Sequence, residues 1–132
     1  MKPEAEFEKN LAIVAKLCCC EYIKIPDVIP LKGKITAHKR PFDGVIVTPG
    51  WNWCVECKIN YAKLAEHQKQ MQDRINSINK RFLVLRKIFT KDNYYFRIES
   101  EFGTFRAKEL KDIFFFCKLK HYKGDFQDEN MH

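Results

Sequence analysis

Residues 39–60 constrain the fold more than any other part of this sequence, because their pattern predicts a β-hairpin with charged side chains on one face. Two runs rich in β-branched and aromatic residues, 45–47 and 51–55, flank Thr48-Pro49-Gly50. In that tripeptide proline presets φ, and glycine admits a φ above zero, so the segment has the chemistry of a turn. Residues 39–60 are therefore predicted to form two antiparallel strands joined by a tight turn.

The register of this hairpin brings two carboxylates together. If Pro49 and Gly50 are the central residues of the turn, counting outward places Asp43 opposite Glu56. Directly opposed residues have Cβ atoms about 5 Å apart, and like charges there repel each other. A divalent cation between the carboxylates would remove that penalty. Because side chains alternate along a strand, Lys58 lies on the same face as Glu56, so an ammonium joins the two acids.

Such a site suits the hydrolysis of phosphodiesters, since two carboxylates can hold Mg²⁺, which polarises a phosphate and lowers the pKa of a bound water. Lys58 would orient that water or offset developing charge. The arrangement resembles the PD-(D/E)xK nuclease superfamily, whose signature is an aspartate entering one hairpin strand and Glu-x-Lys on the next. Here the matching residues are Asp43, Glu56 and Lys58, although Phe42 rather than proline precedes the aspartate.

The resemblance implies a fold and an activity. The fold would be α/β, a restriction-endonuclease-like mixed β-sheet flanked by helices. The activity would be that of a Mg²⁺-dependent endodeoxyribonuclease in which Mn²⁺ can substitute. A second Glu-x-Lys copy occurs at Glu109-Leu110-Lys111, but it lies in a helical pattern without a paired aspartate.

The segment after Lys58 predicts a helix over residues 62–79. Its buried stripe consists of residues spaced by four, three, four and three positions, namely Leu64, Gln68, Met71, Ile75 and Ile78. Gln68 interrupts this apolar stripe, and a helix running back from the strand would place its amide beside Asp43 and Glu56. A glutamine satisfied by backbone groups elsewhere is the alternative.

The string Glu66-His67-Gln68 also resembles the His-Gln helix of Holliday junction resolvases of archaeal, RecU-like or phage type. That resemblance makes Gln68 a catalytic residue and His67 a DNA contact, and it implies four-way DNA junctions as substrate in recombination and repair. Another phage or repair nuclease of the same superfamily is the alternative within this class.

Two further groups of site residues are predicted outside the hairpin. Residues 4–20 form an amphipathic helix, and members of the superfamily often bring a glutamate from the first helix to the metal. Glu4, Glu6 and Glu8 lie in its first turns, and of these we take Glu8 as that third ligand. Solvated acidic residues at the start of a helix are the alternative. His38, Lys39 and Arg40 precede Asp43 and are candidates for contacts with DNA phosphates, or else solvated loop charges.

The remaining pattern completes a mixed sheet. Residues 22–29 predict an edge strand, and the apolar run 82–85 predicts a strand buried on both faces that closes a βαβ unit. Two more strands are expected at 94–99 and 104–107. A last helix is expected over residues 108–122, followed by a tail that frays from about residue 124.

Length and composition set broader limits. A chain of 132 residues with 45% hydrophobic content fits one domain, residues 1–132, and no apolar stretch approaches a membrane span. The net charge of +7 suits a polyanionic partner and also ordinary solubility. Six cysteines without a signal peptide indicate reduced thiols in the cytoplasm, or in the host cytoplasm for a phage protein.

A different class of function is also open, because Cys54-x-x-Cys57 together with His38 could form a zinc-binding, DNA-binding module. Strand geometry argues against it, since residues three apart on a strand point to opposite faces. A non-catalytic DNA-binding relative of the nucleases is a further alternative.

The run Phe114-Phe115-Phe116 predicts an interface. Three successive residues of a helix spread around more than one face, so a single packed face cannot bury all three rings. A homodimer would cover the remaining ring, and it would suit a four-way junction, which is itself two-fold symmetric. A helix wedged between the sheet and neighbouring strands is the alternative.

Overall fold

The computed structural model describes residues 1–26, residues 40–119 and the backbone of residues 127–128. The elements in that part of the chain are α1 (Pro3–Leu17), β1 (Glu21–Lys24), β2 (Gly44–Val47), β3 (Asn52–Ile59), α2 (Glu66–Ile78), β4 (Phe82–Phe89), β5 (Tyr94–Ser100), β6 (Gly103–Ala107), α3 (Leu110–Lys118) and β7 (Gln127–Asp128). The strands form one sheet in chain order, in which β3 and β4 are parallel and all other neighbours antiparallel. The prediction of a mixed α/β sheet flanked by helices is confirmed.

The β2–β3 hairpin has the predicted register, with Val47 opposite Asn52. Its turn is closed by a side chain, because the Thr48 hydroxyl accepts the N–H groups of Gly50 at 3.3 Å and Trp51 at 3.1 Å. Gly50 does not adopt the positive φ that the sequence suggested. The threonine cap makes that conformation unnecessary.

The parallel pair β3 and β4 is joined by α2, so the predicted βαβ unit is present. The first part of β4 is buried on both faces, as its apolar sequence predicts. On β3, Val55 and Cys57 belong to the core that α1 and α3 cover. Glu56 points to the opposite face, where it meets α2.

All three predicted helices are shorter in the structure, and α1 ends at Leu17 rather than at residue 20. Helix α2 begins at Glu66, because the chain first turns at Asn60, whose φ is 52°. Its stripe is only partly buried, and Ile78 is 81% exposed. Helix α3 ends at Lys118, and the predicted stop at Gly124 lies outside the described residues.

Helices α1 and α3 pack side by side on one face of the sheet. The interior of this layer includes Phe7 and Leu11 from α1 and Ile113, Phe114 and Cys117 from α3. Strand β1 forms an edge, as predicted, but it ends at Lys24, so the prediction of a strand to residue 29 was wrong for residues 25–26. Residues 27–29 lie outside the described part of the chain. No described helix is long and apolar enough to cross a bilayer.

Candidate active site

Asp43 and Glu56 are both buried at the centre of the site, each with 2% of its surface exposed. Asp43 directly precedes β2, where its Oδ2 accepts the backbone N–H of Cys57 at 2.7 Å and its Oδ1 pairs with the Arg40 guanidinium at 2.7 Å. Glu56 accepts a hydrogen bond on Oε1 from the Gln68 amide at 2.7 Å. Its other oxygen, Oε2, is buried and has no donor among the described residues.

The electrostatics of this pair favour the binding of a positive charge. Burial, followed by the nearby charge of Asp43, raises the pKa of Glu56 to about 8, although Lys58 and Arg40 act in the opposite direction. A protonated Glu56 can donate to Asp43, whereas an ionised Glu56 leaves Oε2 without a partner. A buried carboxylate oxygen in this state suits a hard divalent cation, which binds oxygen ligands. The residues therefore fit a site for a divalent metal ion.

Helix α1 adds two more carboxylates to the same region. Oxygens of Glu4, Glu8 and Asp43 all lie within 4.8 Å of one another. Glu8 is buried and accepts a hydrogen bond from the Tyr22 hydroxyl at 3.0 Å. Burial and then Asp43 raise the pKa values of both glutamates. The structure thus places Glu8, the first-helix glutamate expected from the sequence, beside Asp43.

Sequence reasoning chose Glu8 over Glu4 and did not identify Gly44. Glu4 lies four residues before Glu8, so both side chains leave the same face of α1, a spacing that could have identified it. Gly44 matters because a Cβ there would lie 2.6 Å from the Tyr22 ring and 2.7 Å from the Ile23 carbonyl. The glycine lets Tyr22 cross β2 closely enough to reach Glu8.

Lys58 and Gln68 approach Glu56 from two elements. Lys58 is half-buried on β3, and its charge acts to lower the pKa values of Glu56 and Glu4, so its ammonium is near both. Gln68 spans the start of α2, because its Oε1 accepts the Ala65 N–H at 2.8 Å while its amide nitrogen donates to Glu56. This pairing fixes the orientation of the amide. The expectation that Gln68 lies beside Glu56 agrees with the structure.

Comparisons with known proteins give weak similarity to solved structures. No family model matches the chain, and no curated protein matches it. Among solved structures, the 1.6 Å structure of Archaeoglobus fulgidus Hjc, a Holliday junction resolvase from an archaeal hyperthermophile, matches with a TM-score of 0.46 and 15% identity. The match covers 69% of this chain and 72% of that chain. Because this similarity is weak, the functional conclusion depends on the residues of the site.

The predicted DNA contacts are only partly described. Arg40 pairs with Asp43 and donates to the Ile25 carbonyl at 3.2 Å, so its guanidinium forms part of the charge balance of the site. His67 is half-buried near the start of α2. His38 and Lys39 lie outside the described residues.

Two other motifs of the sequence, the second Glu-x-Lys copy and the Cys-x-x-Cys pair, do not form part of the site. In the second Glu-x-Lys copy, Glu109 and Lys111 form an exposed ion pair at 3.1 Å at the start of α3. Cys54 and Cys57 lie on opposite faces of β3, since side chains alternate and Cys57 faces the core. These two thiols therefore do not converge as ligands of one zinc ion.

Proposed function

We propose that this protein is a metal-dependent, structure-selective DNA endonuclease that hydrolyses phosphodiester bonds, and that its substrate is the Holliday junction. The observation that carries the proposal is the buried pair Asp43 and Glu56, in which Glu56 keeps an oxygen without a partner and Lys58 and Gln68 stand alongside. A core selected for stability alone would not bury two adjacent carboxylates.

Each side chain has a distinct function in this proposal. Glu8 and Asp43, whose oxygens converge with those of Glu4, would hold Mg²⁺ or Mn²⁺. Glu56 would complete the ligand set through its oxygen Oε2, which has no partner in the described part of the chain. When bound, the cation supplies Lewis-acid stabilisation of the charge on phosphate and a nucleophilic water of lowered pKa. Lys58 offsets the negative charge that develops on the phosphate oxygens.

The supporting contacts keep these groups in place. Gln68 holds the Glu56 carboxylate through Oε1, so Oε2 is the oxygen that would bind the cation. The Cys57 N–H holds Asp43 in the same way. Such partners restrict the rotamers of ligand side chains, which strengthens metal binding. The cation must displace the proton that the raised pKa of Glu56 retains, so its binding should strengthen with rising pH.

The choice of the four-way junction rests on the helix that follows Lys58. Gln68 on α2 contacts Glu56, which is the position that the resemblance to the His-Gln helix of resolvases implies.

All six cysteines are free thiols, which agrees with action in the cytoplasm.

A cleavage assay on several DNA structures tests this function. The protein is incubated with a four-way junction, and with a duplex, a flap and a single strand of related sequence, in Mg²⁺, in Mn²⁺ and in a chelator. We expect paired cuts in the junction with either cation, little cutting of the duplex, and none in the chelator. A folded protein that binds the junction but leaves it intact with both cations would instead be a non-catalytic DNA-binding protein.

Lys58→Ala serves as the active-site control in that assay. The single-turnover rate should fall by about a hundredfold to a thousandfold, because one preorganised cation near the reacting phosphate is lost. The affinity for DNA should change little, since this ammonium acts mainly on the transition state. A tenfold loss of affinity at an unchanged rate would make Lys58 an ordinary DNA contact.

The proposal includes a homodimer, and the burial of each phenylalanine in α3 decides which ring can form its contact. Phe114 and Phe116 are buried, and Phe116 packs on Phe105 at 5.4 Å between ring centroids. Phe115 remains 47% exposed, beside an apolar groove of about 660 Å³ between α1, α3 and the β4–β5 hairpin. Phe115 is therefore the ring of this run that is available to an interface, because Phe114 and Phe116 face the core.

Phe115→Glu should convert a dimer into a monomer that nicks junctions singly, because a carboxylate cannot be buried in an apolar interface. Phe102→Glu is the matched control, since Phe102 is 46% exposed in the β5–β6 turn and lies away from this groove. Light scattering at micromolar concentration measures the mass. A wild-type monomer that still makes paired cuts would contradict the prediction.

A further inference from the structure

Four cationic residues form a row across the sheet, starting at Lys58. The strand register pairs Lys58 with Arg86, Arg86 with Arg97, and Arg97 with Arg106. Residues paired in register share a face of the sheet, so all four side chains leave the face that carries Glu56. With about 4.8 Å between strands, the row extends about 14 Å from β3 to β6.

Like charges directly opposite each other on a sheet are destabilising, and Glu99 offsets part of this cost because it pairs with Arg86 and, at 3.5 Å, with Arg97. Arg86 has a structural function, since it is buried and donates to the carbonyls of Asn60 at 3.1 Å and Ala62 at 2.6 Å. These bonds hold the chain just after Lys58 and so position the lysine. Arg97 and Arg106 form the outer part of the row.

The outer two arginines are stacked on tyrosine rings. The Arg97 guanidinium carbon lies 5.3 Å from the centroid of the Tyr61 ring, and that of Arg106 lies 3.8 Å from the Tyr95 ring. The two tyrosine hydroxyls lie 3.1 Å apart, within hydrogen-bond distance. Stacking holds a guanidinium by its flat face, while its N–H donors lie in the plane and can bind the oxygens of a phosphate.

This part of the sheet is accessible. Arg106 is exposed, Tyr61 is 58% exposed, and Arg97 retains 23% exposure of its side chain. Helices α1 and α3 pack on the other face, and α2 contacts β4. Within the described residues, α2 contacts β4 at the inner end of the row, whereas Arg106 at its outer end is exposed.

We propose that Tyr61, Tyr95, Arg97 and Arg106, which we call the sheet-face strip, bind the phosphate backbone of a DNA arm leading away from the active site. The inference rests on the proposed function, because the arm belongs to the DNA whose scissile phosphate lies at Lys58. At about 3.4 Å per nucleotide of one strand, the row spans about four phosphates. Contacts of this kind fix the position of DNA without reading its sequence.

The salt dependence of binding tests the strip. Equilibrium binding of the full chain to a labelled junction and to a labelled duplex is measured in chelator over a series of salt concentrations. Arg106→Gln should weaken binding to both and reduce the slope of log Kd against log salt by about one, since one phosphate contact is lost. Arg106→Lys should restore most of the slope, because it retains the charge, but only part of the affinity, because it loses the planar fork.

Lys16→Gln is the matched control, since it removes one exposed positive charge at the far end of α1. Lys16 lies twelve residues beyond Glu4, or about 18 Å along the helix axis. Its affinity and salt slope should equal those of the wild type. Thermal unfolding of each variant verifies that the fold is retained.

The outcomes separate this inference from the proposed function. If Arg106→Gln matches the wild type in affinity and slope while the wild type still cuts junctions, the strip is not a DNA contact and the nuclease proposal stands. If the wild type cuts no DNA but Arg106→Gln still reduces the slope, the strip stands and the nuclease proposal fails. If the wild type binds neither DNA, the strip is overturned, and an acidic protein becomes the partner to examine.

Discussion

Glu56→Gln should reduce DNA cleavage by more than about a hundredfold, because even the partners of a metal ligand are commonly worth ten- to a hundredfold. The substitution removes the charge of the oxygen that has no partner, while the new amide oxygen can still accept the hydrogen bond from Gln68. DNA affinity should be unchanged or higher, since one negative charge near the phosphate is lost. Single-turnover cleavage and equilibrium binding of the same junction measure the two effects.

Asp43→Asn should lose cleavage to a similar extent but behave differently in stability. Asp43 accepts from the Cys57 N–H and pairs with Arg40, and an asparagine offers only one acceptor oxygen for these two donors. We expect the variant to fold with a lower free energy of unfolding than Glu56→Gln. The comparison separates the catalytic loss, which both variants share, from the structural cost, which falls mainly on Asp43.

The second Glu-x-Lys copy provides the control for both variants. Glu109 is exposed and pairs with Lys111, so Glu109→Gln makes the same chemical change outside the site. Its cleavage rate should equal that of the wild type. Full cleavage by Glu56→Gln at saturating Mg²⁺ would remove the proposed site, whatever the behaviour of the other variants.

The sequence predicted those parts of the site that depend on local pattern. Asp43, Glu56 and Lys58 lie on one hairpin, where a recognisable turn and the alternation of strand side chains fix their relative positions. Gln68 was also predictable, because a single amide in an otherwise apolar helical stripe requires a partner. The parallel β4 followed from a continuous apolar run after a helix.

Features that depend on packing between distant segments were not predictable. Whether Glu4 reaches Asp43 depends on how α1 crosses the sheet, and several glutamates at its start were equivalent in sequence. The pairing of Arg97 with Arg106 requires the register of the β5–β6 hairpin, which the sequence pattern did not specify. Likewise, the choice between Phe115 and Phe116 depends on the rotation of α3 about its axis.

The metal-free protein should become less stable as the pH rises from about 5 to about 8, and a divalent cation should reverse this trend. Burial and Asp43 raise the pKa of Glu56 to about 8, and the same causes raise the pKa values of Glu4 and Glu8. A carboxyl group with a raised pKa holds its proton more tightly in the folded state. The group therefore stabilises the fold fully when the pH is below its pKa in the unfolded state. This stabilisation is lost as the pH rises through its pKa in the folded state.

The expected loss for Glu56 is on the order of 1 to 3 kcal/mol, since one pKa unit corresponds to about 1.4 kcal/mol and only part of the titration falls between about pH 5.5 and about pH 8. Urea unfolding at about pH 5.5 and about pH 8, with chelator and with Mg²⁺, measures the free energy of unfolding. Mg²⁺ should stabilise the protein more at the higher pH, because the cation binds the deprotonated carboxylates.

Glu56→Gln should flatten this dependence and, in chelator at about pH 8, be more stable than the wild type, because a neutral amide carries no charge to desolvate. Glu109→Gln should retain the wild-type dependence, since that carboxylate is exposed. Glu4 and Glu8 leave a residual slope in every variant, as their pKa values are raised as well. A Glu56→Gln protein with the full wild-type slope would show that Glu56 does not hold a proton at neutral pH, and the cation would then bind without displacing one.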